Sequence, residues 1–417
     1  MKLLWLCNCG PGVILSHMTG KERGAVNWVD HVLSDLRKQN VTLRILFPGS
    51  GVSGELDPQC SYGTFQEGRL DRYHPELEQR FRQELETYQP DVIHSWGVEF
   101  SHALAMVNAA KSLDMGSRMV ASIQGLCGVI ARYYTQGLPA WAVHAFTLRD
   151  FLRQDNIAQQ ARAFARRGRL EEQTLEKLDH VMGRTHWDRA CTQAVNPRLH
   201  YYHCRETLRE GFYQGTWRYD SCTPHRIFAS SCAYPVKGFH LLLEAFAQVL
   251  KTYPDATLAV PGKSFLQTGL RSGSYEWYLK KLVKKWGLSG KIQFLGKLSE
   301  EQMKEQYLQA NAFALPSVME NSSNSLGEAM LLGVPSVAAW VGGVPSLMSH
   351  GQEGYLYAGN DPTMLAYYLC RIFEQKAAAE EMGAKAQARA RQTHDPQENL
   401  NQLLDVYRQV MASGEEP

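Results

Sequence analysis

The chain lacks a dominant charge, a paired-cysteine spacing and any uninterrupted apolar run long enough to span a bilayer. Its 44 basic and 42 acidic residues leave a formal charge of +2, so bulk charge names no partner. The nine cysteines are scattered, odd in number and never spaced C-x-x-C. That excludes a disulfide framework or a zinc site and points to reduced thiols in the cytoplasm. The apolar start at residues 3–7 stops at Asn8 without a small-residue cleavage site, so it predicts a buried first strand and not an export signal. A charge-free stretch at 329–352 is interrupted by Gly333, Pro335, Gly342, Gly343 and Pro345, which argues against a spanning helix. Low-complexity tracts and short-period repeats are also lacking.

What is present suits two domains, because 417 residues exceed one ordinary core. Short apolar runs at 2–9, 41–47, 91–95, 118–123 and 180–183, with helix-length segments such as 26–38 between them, read as βα alternation and predict a first doubly wound domain over 1–210. Residues 211–224 follow neither period and mark a hinge. A second alternation has runs at 226–230, 257–260, 291–295, 312–315, 336–339 and 355–357, with helices at 240–251 and 299–309. It predicts a second doubly wound domain over 211–395. The amphipathic stretch 396–411 predicts a helix, in a closing piece 396–417 that packs back towards the first domain. Open parallel sheets place ligands beyond the carboxyl ends of their strands, so those loops are the places to look for chemistry.

The most informative of these loops reads Pro316-Ser317-Val318-Met319-Glu320-Asn321-Ser322-Ser323-Asn324-Ser325-Leu326-Gly327-Glu328-Ala329-Met330. Small polar residues and a glycine between two carboxylates eight positions apart allow a tight loop ending in a helix, whose first amides near Asn324, Ser325, Leu326 and Gly327 point outward. Such an end can receive a diphosphate without a metal. Glu320 could then accept from sugar hydroxyls, and Glu328 from both hydroxyls of a ribose. An ordinary N-capped helix with solvated glutamates fits the same spacing equally well.

Glu320, seven intervening residues and Glu328, followed by Ala329-Met330-Leu331-Leu332-Gly333-Val334-Pro335 and Val341-Gly342-Gly343-Val344-Pro345, resemble the signature of retaining glycosyltransferases of family 4. The similarity extends through Phe294-Leu295-Gly296-Lys297-Leu298-Ser299 and Pro235-Val236-Lys237-Gly238-Phe239-His240, over residues 225–370. The first half matches only in outline, at Gly24-Ala25-Val26, Pro90-Asp91-Val92-Ile93-His94 and Ser122-Ile123-Gln124-Gly125. The resemblance implies an α/β protein of GT-B fold, with two doubly wound Rossmann-like domains facing across a cleft. It implies transfer of a sugar, with retention, from a nucleotide-diphosphate sugar of UDP or GDP type. The acceptor would be a saccharide or lipid-linked saccharide, in surface polysaccharide, lipopolysaccharide or glycolipid synthesis. Residue by residue, it implies that Lys237 neutralises the diphosphate, Glu328 binds the ribose and Glu320 faces the transferred sugar. Gly24 and the helix start at Asn324 would lie on the donor. No cofactor or metal is expected, since the sequence has no D-x-D motif. His17, His94, His102 and His144 match no metal-binding spacing either.

Two positions depart from that family. Cys232 stands five residues before Lys237 where an arginine is usual, and Gln124 stands where a histidine usually ends a first-domain strand. Cys232 cannot carry the cation, which leaves Lys263 or Arg184 to supply it. Gln124 can hold a donor hydroxyl but cannot act as acid or base near neutrality. These departures keep two alternatives open: a nucleotide-sugar epimerase of the same fold, and a catalytically degenerate sugar-nucleotide binding subunit.

Residues 121–170 hold seven arginines and no lysine or glutamate, with only Asp150 and Asp155 opposing them and aromatic residues interleaved. Arg162, Arg166 and Arg169 fall on one helical face. This composition suits contact with an anionic membrane surface and peripheral attachment to it. A solvated basic helix with aromatics facing the core is the alternative. No nucleic-acid-binding module is visible.

Overall fold

The strand-like runs pair into two separate sheets in a computed structural model that describes residues 1–21, 29–267 and 269–413. Gly24, expected on the donor, lies outside the described residues. The first sheet contains β1 (Lys2–Cys7), β2 (Thr42–Pro48), β3 (Ser53–Asp57), β4 (Cys60–Phe65), β5 (Val92–Trp96), β6 (Met119–Ser122), β7 (His180–Gly183) and β8 (His200–His203). Their order is β3-β4-β2-β1-β5-β6-β7-β8, parallel throughout except for the β3–β4 hairpin. β1 is central, with Leu3 to Leu6 fully buried, so its sequence is a continuous apolar run and not an alternation. β3, β4 and β8 were not expected. Ser53–Asp57 and His200–His203 are exposed or half-exposed along their length, and such polar edge strands give no hydrophobic signal.

The second sheet contains β9 (Arg226–Phe228), β10 (Thr257–Val260), β11 (Ile292–Phe294), β12 (Ala312–Leu315), β13 (Ser336–Trp340) and β14 (Tyr355–Ala358). It is wholly parallel, in the order β11-β10-β9-β12-β13-β14. β9 pairs with β10 on one side and β12 on the other, so the direction of winding reverses between β9 and β12. Crevices for ligands form beyond the carboxyl ends of strands at such a reversal.

By their contacts, Met1–Val129, Ala163–Leu208 and His394–Pro417 form one unit, and Ile130–Arg162 with Arg209–Thr393 forms the other. The chain therefore divides at 208–209, not at 210–211. Residues 130–162, expected in the first domain, belong to the second unit. They are tied to helix Ser274–Lys285: Asp150 Oδ2 accepts from Ser274 N at 2.9 Å, and Ile157 N donates to Ser274 Oγ at 3.2 Å. In the first unit, helix Pro396–Ser413 buries Leu400, Leu403, Leu404, Tyr407 and Val410 in the core that contains β1. The Tyr407 hydroxyl receives Trp5 Nε1 at 3.0 Å and lies 2.7 Å from His94 Nδ1. Among the described residues, no helix is long and apolar enough to cross a membrane.

Candidate functional site

The loops leaving β9 and β12, the two strands flanking the reversal, carry the residues that the sequence singles out. After β9 the chain passes Cys232 and enters a short 3-10 turn, Pro235–Lys237, closed by Gly238 at φ 65°. A Cβ on Gly238 would stand 1.8 Å from the Pro316 carbonyl oxygen, so only glycine lets the two loops meet. Gly342 acts from the other side. Its φ is 51°, and a Cβ there would stand 1.9 Å from the Glu320 carbonyl oxygen. The loop 316–320 is thus held between two glycines that the sequence places far apart.

This clamping brings Lys237 and Glu320 together. Lys237 Nζ donates to Glu320 Oε1 at 2.6 Å, and Ser317 Oγ donates to the same oxygen at 2.7 Å. Burial weakens the Lys237 ammonium, but the neighbouring Glu320 carboxylate outweighs it and holds the pKa above its ordinary value. Lys237 is therefore held as a cation against Glu320 at the end of a parallel sheet.

Helix Asn324–Leu332 follows, N-capped by Ser323. The Leu326 amide donates to Ser323 Oγ at 3.3 Å, and the Gly327 amide to Ser323 O at 3.0 Å. This corrects one expectation: the Leu326 and Gly327 amides are used within the cap and do not point outward, because a serine at that position accepts from the third residue of the helix through its side chain and from the fourth through its carbonyl. Asn324 and Ser325 lie in the first turn.

Glu328, on the same helix, is only 5% exposed. Arg209 grips it with two parallel bonds, Nε to Oε1 at 2.7 Å and Nη2 to Oε2 at 2.8 Å. Burial pushes the Glu328 pKa up, and the Arg209 guanidinium opposes that rise. Arg209 also lies 4.6 Å from the Phe212 ring centroid. Sequence reasoning missed Arg209, since it sits in an aperiodic stretch and its partner is 119 residues away. Ser317 was also missed as a site residue, although it is three positions before Glu320 in the quoted loop.

Cys232 is half-buried, and burial raises its thiol pKa to about 11, so it stays neutral and supplies no charge. Lys263 is exposed just after β10 in the same unit. The other proposed substitute, Arg184, belongs to the first unit, where it is paired with Glu206 and donates to Gln124 Oε1 at 3.3 Å. Gln124, Arg184, Glu206 and Trp96 line a cavity of about 40 Å³ in that unit. Among the described residues, no cluster of three or more His, Cys, Asp or Glu side chains is arranged to hold a metal.

Residues 223–389 match the family model described as glycosyl transferases group 1. A D-inositol 3-phosphate glycosyltransferase of Corynebacterium urealyticum is 30% identical over 187 residues, which are 43% of this chain and 42% of that protein. The chain thus matches less than half the length of this curated relative. The structure resembles sucrose-phosphate synthase from Thermosynechococcus elongatus with a TM-score of 0.74 at 19% identity, over 99% of this chain and 100% of that one. It also resembles Anabaena HepE in complex with UDP and glucose, with a TM-score of 0.67 at 16% identity, over 97% and 99% of the two chains. At these identities the likeness speaks for the fold, and the fold is GT-B, with two Rossmann-like domains.

Proposed function

We propose, from the match of residues 223–389 to the glycosyl transferases group 1 model, that the protein moves a sugar from a nucleotide-diphosphate sugar to an acceptor hydroxyl with retention. The observation that carries this reading is the hydrogen-bonded Lys237–Glu320 pair at the β9/β12 reversal, next to the helix that bears Glu328. Departure of a nucleoside diphosphate develops negative charge on phosphate oxygens, and a positioned ammonium stabilises that charge. An arriving diphosphate competes with Glu320 for Lys237. Glu320, released in part and still bonded to Ser317, then accepts from hydroxyls of the sugar being moved. Glu328 accepts from the ribose. Arg209 occupies one lone-pair position on each of its oxygens, and a carboxylate has about four.

The donor is of UDP or GDP type in this reading, and UDP has support from the HepE complex, which contains UDP and glucose. No metal is assigned to the diphosphate, because an ammonium and helix amides serve the same end. The acceptor, a saccharide or lipid-linked saccharide, is assigned to the reversal of the first sheet between β1 and β5. There Asn8 Nδ2 donates to Glu99 Oε1 at 2.9 Å, and Asn8 Oδ1 lies 2.9 Å from His102 Nε2. The cysteine pattern supports a cytoplasmic setting.

A second reading, a sugar-nucleotide binding subunit without turnover, draws on the neutral Cys232 thiol where a cation was expected. Radiolabelled UDP- and GDP-sugars incubated with the protein in EDTA separate the two. Release of UDP or GDP, slow without acceptor and faster with one, supports the transferase. Binding without any release supports the subunit, and activity that requires a restored divalent ion contradicts the metal-free site.

A further inference from the structure

Helix Leu148–Arg153 is built inside out. Its carboxylate, Asp150, is fully buried, while Leu148, Phe151 and Leu152 are 57%, 70% and 74% exposed. The inversion is fixed by the fold. Thr147 and Asp150 form a reciprocal cap at 3.2 Å in each direction, and Asp150 also accepts from Ser274 N at 2.9 Å, so the helix cannot roll its apolar side inward without breaking three bonds. Residues 148, 151 and 152 lie three and four positions apart and share one face. Phe146 and Trp141, just before this helix in the chain, are 54% and 50% exposed. Trp141 packs edge-on against Trp277 and Tyr278 of helix Ser274–Lys285 at 5.7 and 5.5 Å. Exposed apolar groups gathered on one helix face, as Leu148, Phe151 and Leu152 are, mark an interaction surface.

The charges around the patch identify the occupant. Lys281 lies over the Trp141 and Trp277 rings at 4.8 and 3.8 Å, and Lys281, Lys284 and Lys285 are exposed on the same helix. Arg153 is exposed at the end of the inverted helix. Of the carboxylates around it, Asp150 is engaged as described, Glu276 accepts from Gly273 N at 3.3 Å and Asp155 from Arg149 at 3.0 Å, while Glu244 is exposed beside Tyr278 and is outnumbered by the lysines. We propose that this surface, Trp141, Phe146, Leu148, Phe151 and Leu152 with Lys281, Lys284 and Lys285 beside them, docks on an anionic lipid bilayer. The apolar groups enter the headgroup boundary and the cations meet the lipid phosphates. The surface differs from the arginine face read in the sequence. Arg162, Arg166 and Arg169 are exposed, but Arg166 is paired with Asp71, and Arg167 is held over the Phe100 and Phe164 rings at 4.4 and 5.1 Å. The proposal does not depend on the donor site.

Sedimentation with vesicles of equimolar phosphatidylcholine and phosphatidylglycerol, beside pure phosphatidylcholine vesicles, tests it on the full chain. The parent should partition into the anionic vesicles. Phe151→Ser with Leu152→Ser should reduce that partition by about tenfold or more at low and high salt, since both side chains lose the apolar boundary. Lys281→Glu with Lys284→Glu should abolish the preference for the anionic lipid. All these positions are exposed, so thermal unfolding and UDP affinity should match the parent and certify the variants. Equal partition of parent and Phe151→Ser/Leu152→Ser, or a parent that stays in the supernatant, overturns the proposal. So does a parent dimer by analytical ultracentrifugation that dissociates on the Ser substitutions without any vesicle binding, which assigns the patch to a second copy of the chain.

Discussion

Arg209 takes both oxygens of a buried carboxylate that the sequence assigns to a ribose, and this sets up the sharpest consequence at the residue scale. Without the guanidinium, burial and the Glu300 charge act on Glu328 against only a hydrogen bond from Tyr307, so its pKa rises further and the carboxylate is lost as pH falls through that raised value. Arg209→Gln should therefore weaken UDP binding by about tenfold near neutrality, in line with the roughly 1.5 to 3 kcal/mol of a charge-assisted bond. The deficit relative to the parent should widen between pH 7 and pH 5, and Arg209→Lys should recover part of it. Isothermal titration at several pH values reads this directly, and a pH-independent deficit would mean that Arg209 acts only as scaffold. Glu320 and Glu328 could be singled out because loop and carboxylates form a local pattern, whereas Lys237, 83 residues from Glu320, was singled out only by the family resemblance. Arg209 was not, because its role rests on a contact between positions far apart along the chain.

At the scale of elements, the parallel strands were legible because burial on both faces leaves a continuous apolar run, as in Leu3 to Leu6. The edge strands β3 and β8 were not, since their residues face water, and β4, though buried, mixes Ser61, Gly63 and Thr64 into its run and so gives a weak apolar signal. Tertiary contacts likewise decide where 130–162 belongs, which composition could not tell. The glycine clamp gives a test of the second kind of information. Gly342→Ala meets both a positive φ and the Glu320 carbonyl, and should cost about 2 kcal/mol or more in urea denaturation. Gly290→Ala, with φ 80° and nothing within 4 Å, should cost about 1 kcal/mol. Equal costs would show that the loop 316–320 yields freely. A second test concerns helix Phe239–Thr252, whose His240 is buried between the Tyr275 hydroxyl and the Gln136 carbonyl oxygen at 3.1 Å from each. Burial lowers its pKa to about 4. A folded pKa below the unfolded one stabilises above the unfolded value, near 6.5, and that stability is lost as pH falls towards 4. The stability advantage of the parent over His240→Gln should therefore shrink between pH 6.5 and pH 4, by roughly 1.4 kcal/mol per pH unit. A constant difference in denaturation midpoints would assign His240 a packing role alone.

For the whole molecule, two sheets, one wholly and one mostly parallel, each reverse their winding at an internal pair of strands, β1 with β5 and β9 with β12. The second reversal gathers Lys237, Glu320 and, on the following helix, Glu328, and the proposed activity assigns them to different parts of one donor. The most direct measurement pairs calorimetry using free UDP with initial rates using the matching UDP-sugar, on Glu328→Ala and Glu320→Ala. Glu328→Ala should lose UDP affinity, by about ten- to a hundredfold if the ribose contact is charge-assisted. Glu320→Ala should keep UDP affinity near that of the parent and lose turnover, because its contact is with the group being moved. Indistinguishable effects of the two substitutions on UDP binding and on turnover would contradict the assignment of donor parts to this loop.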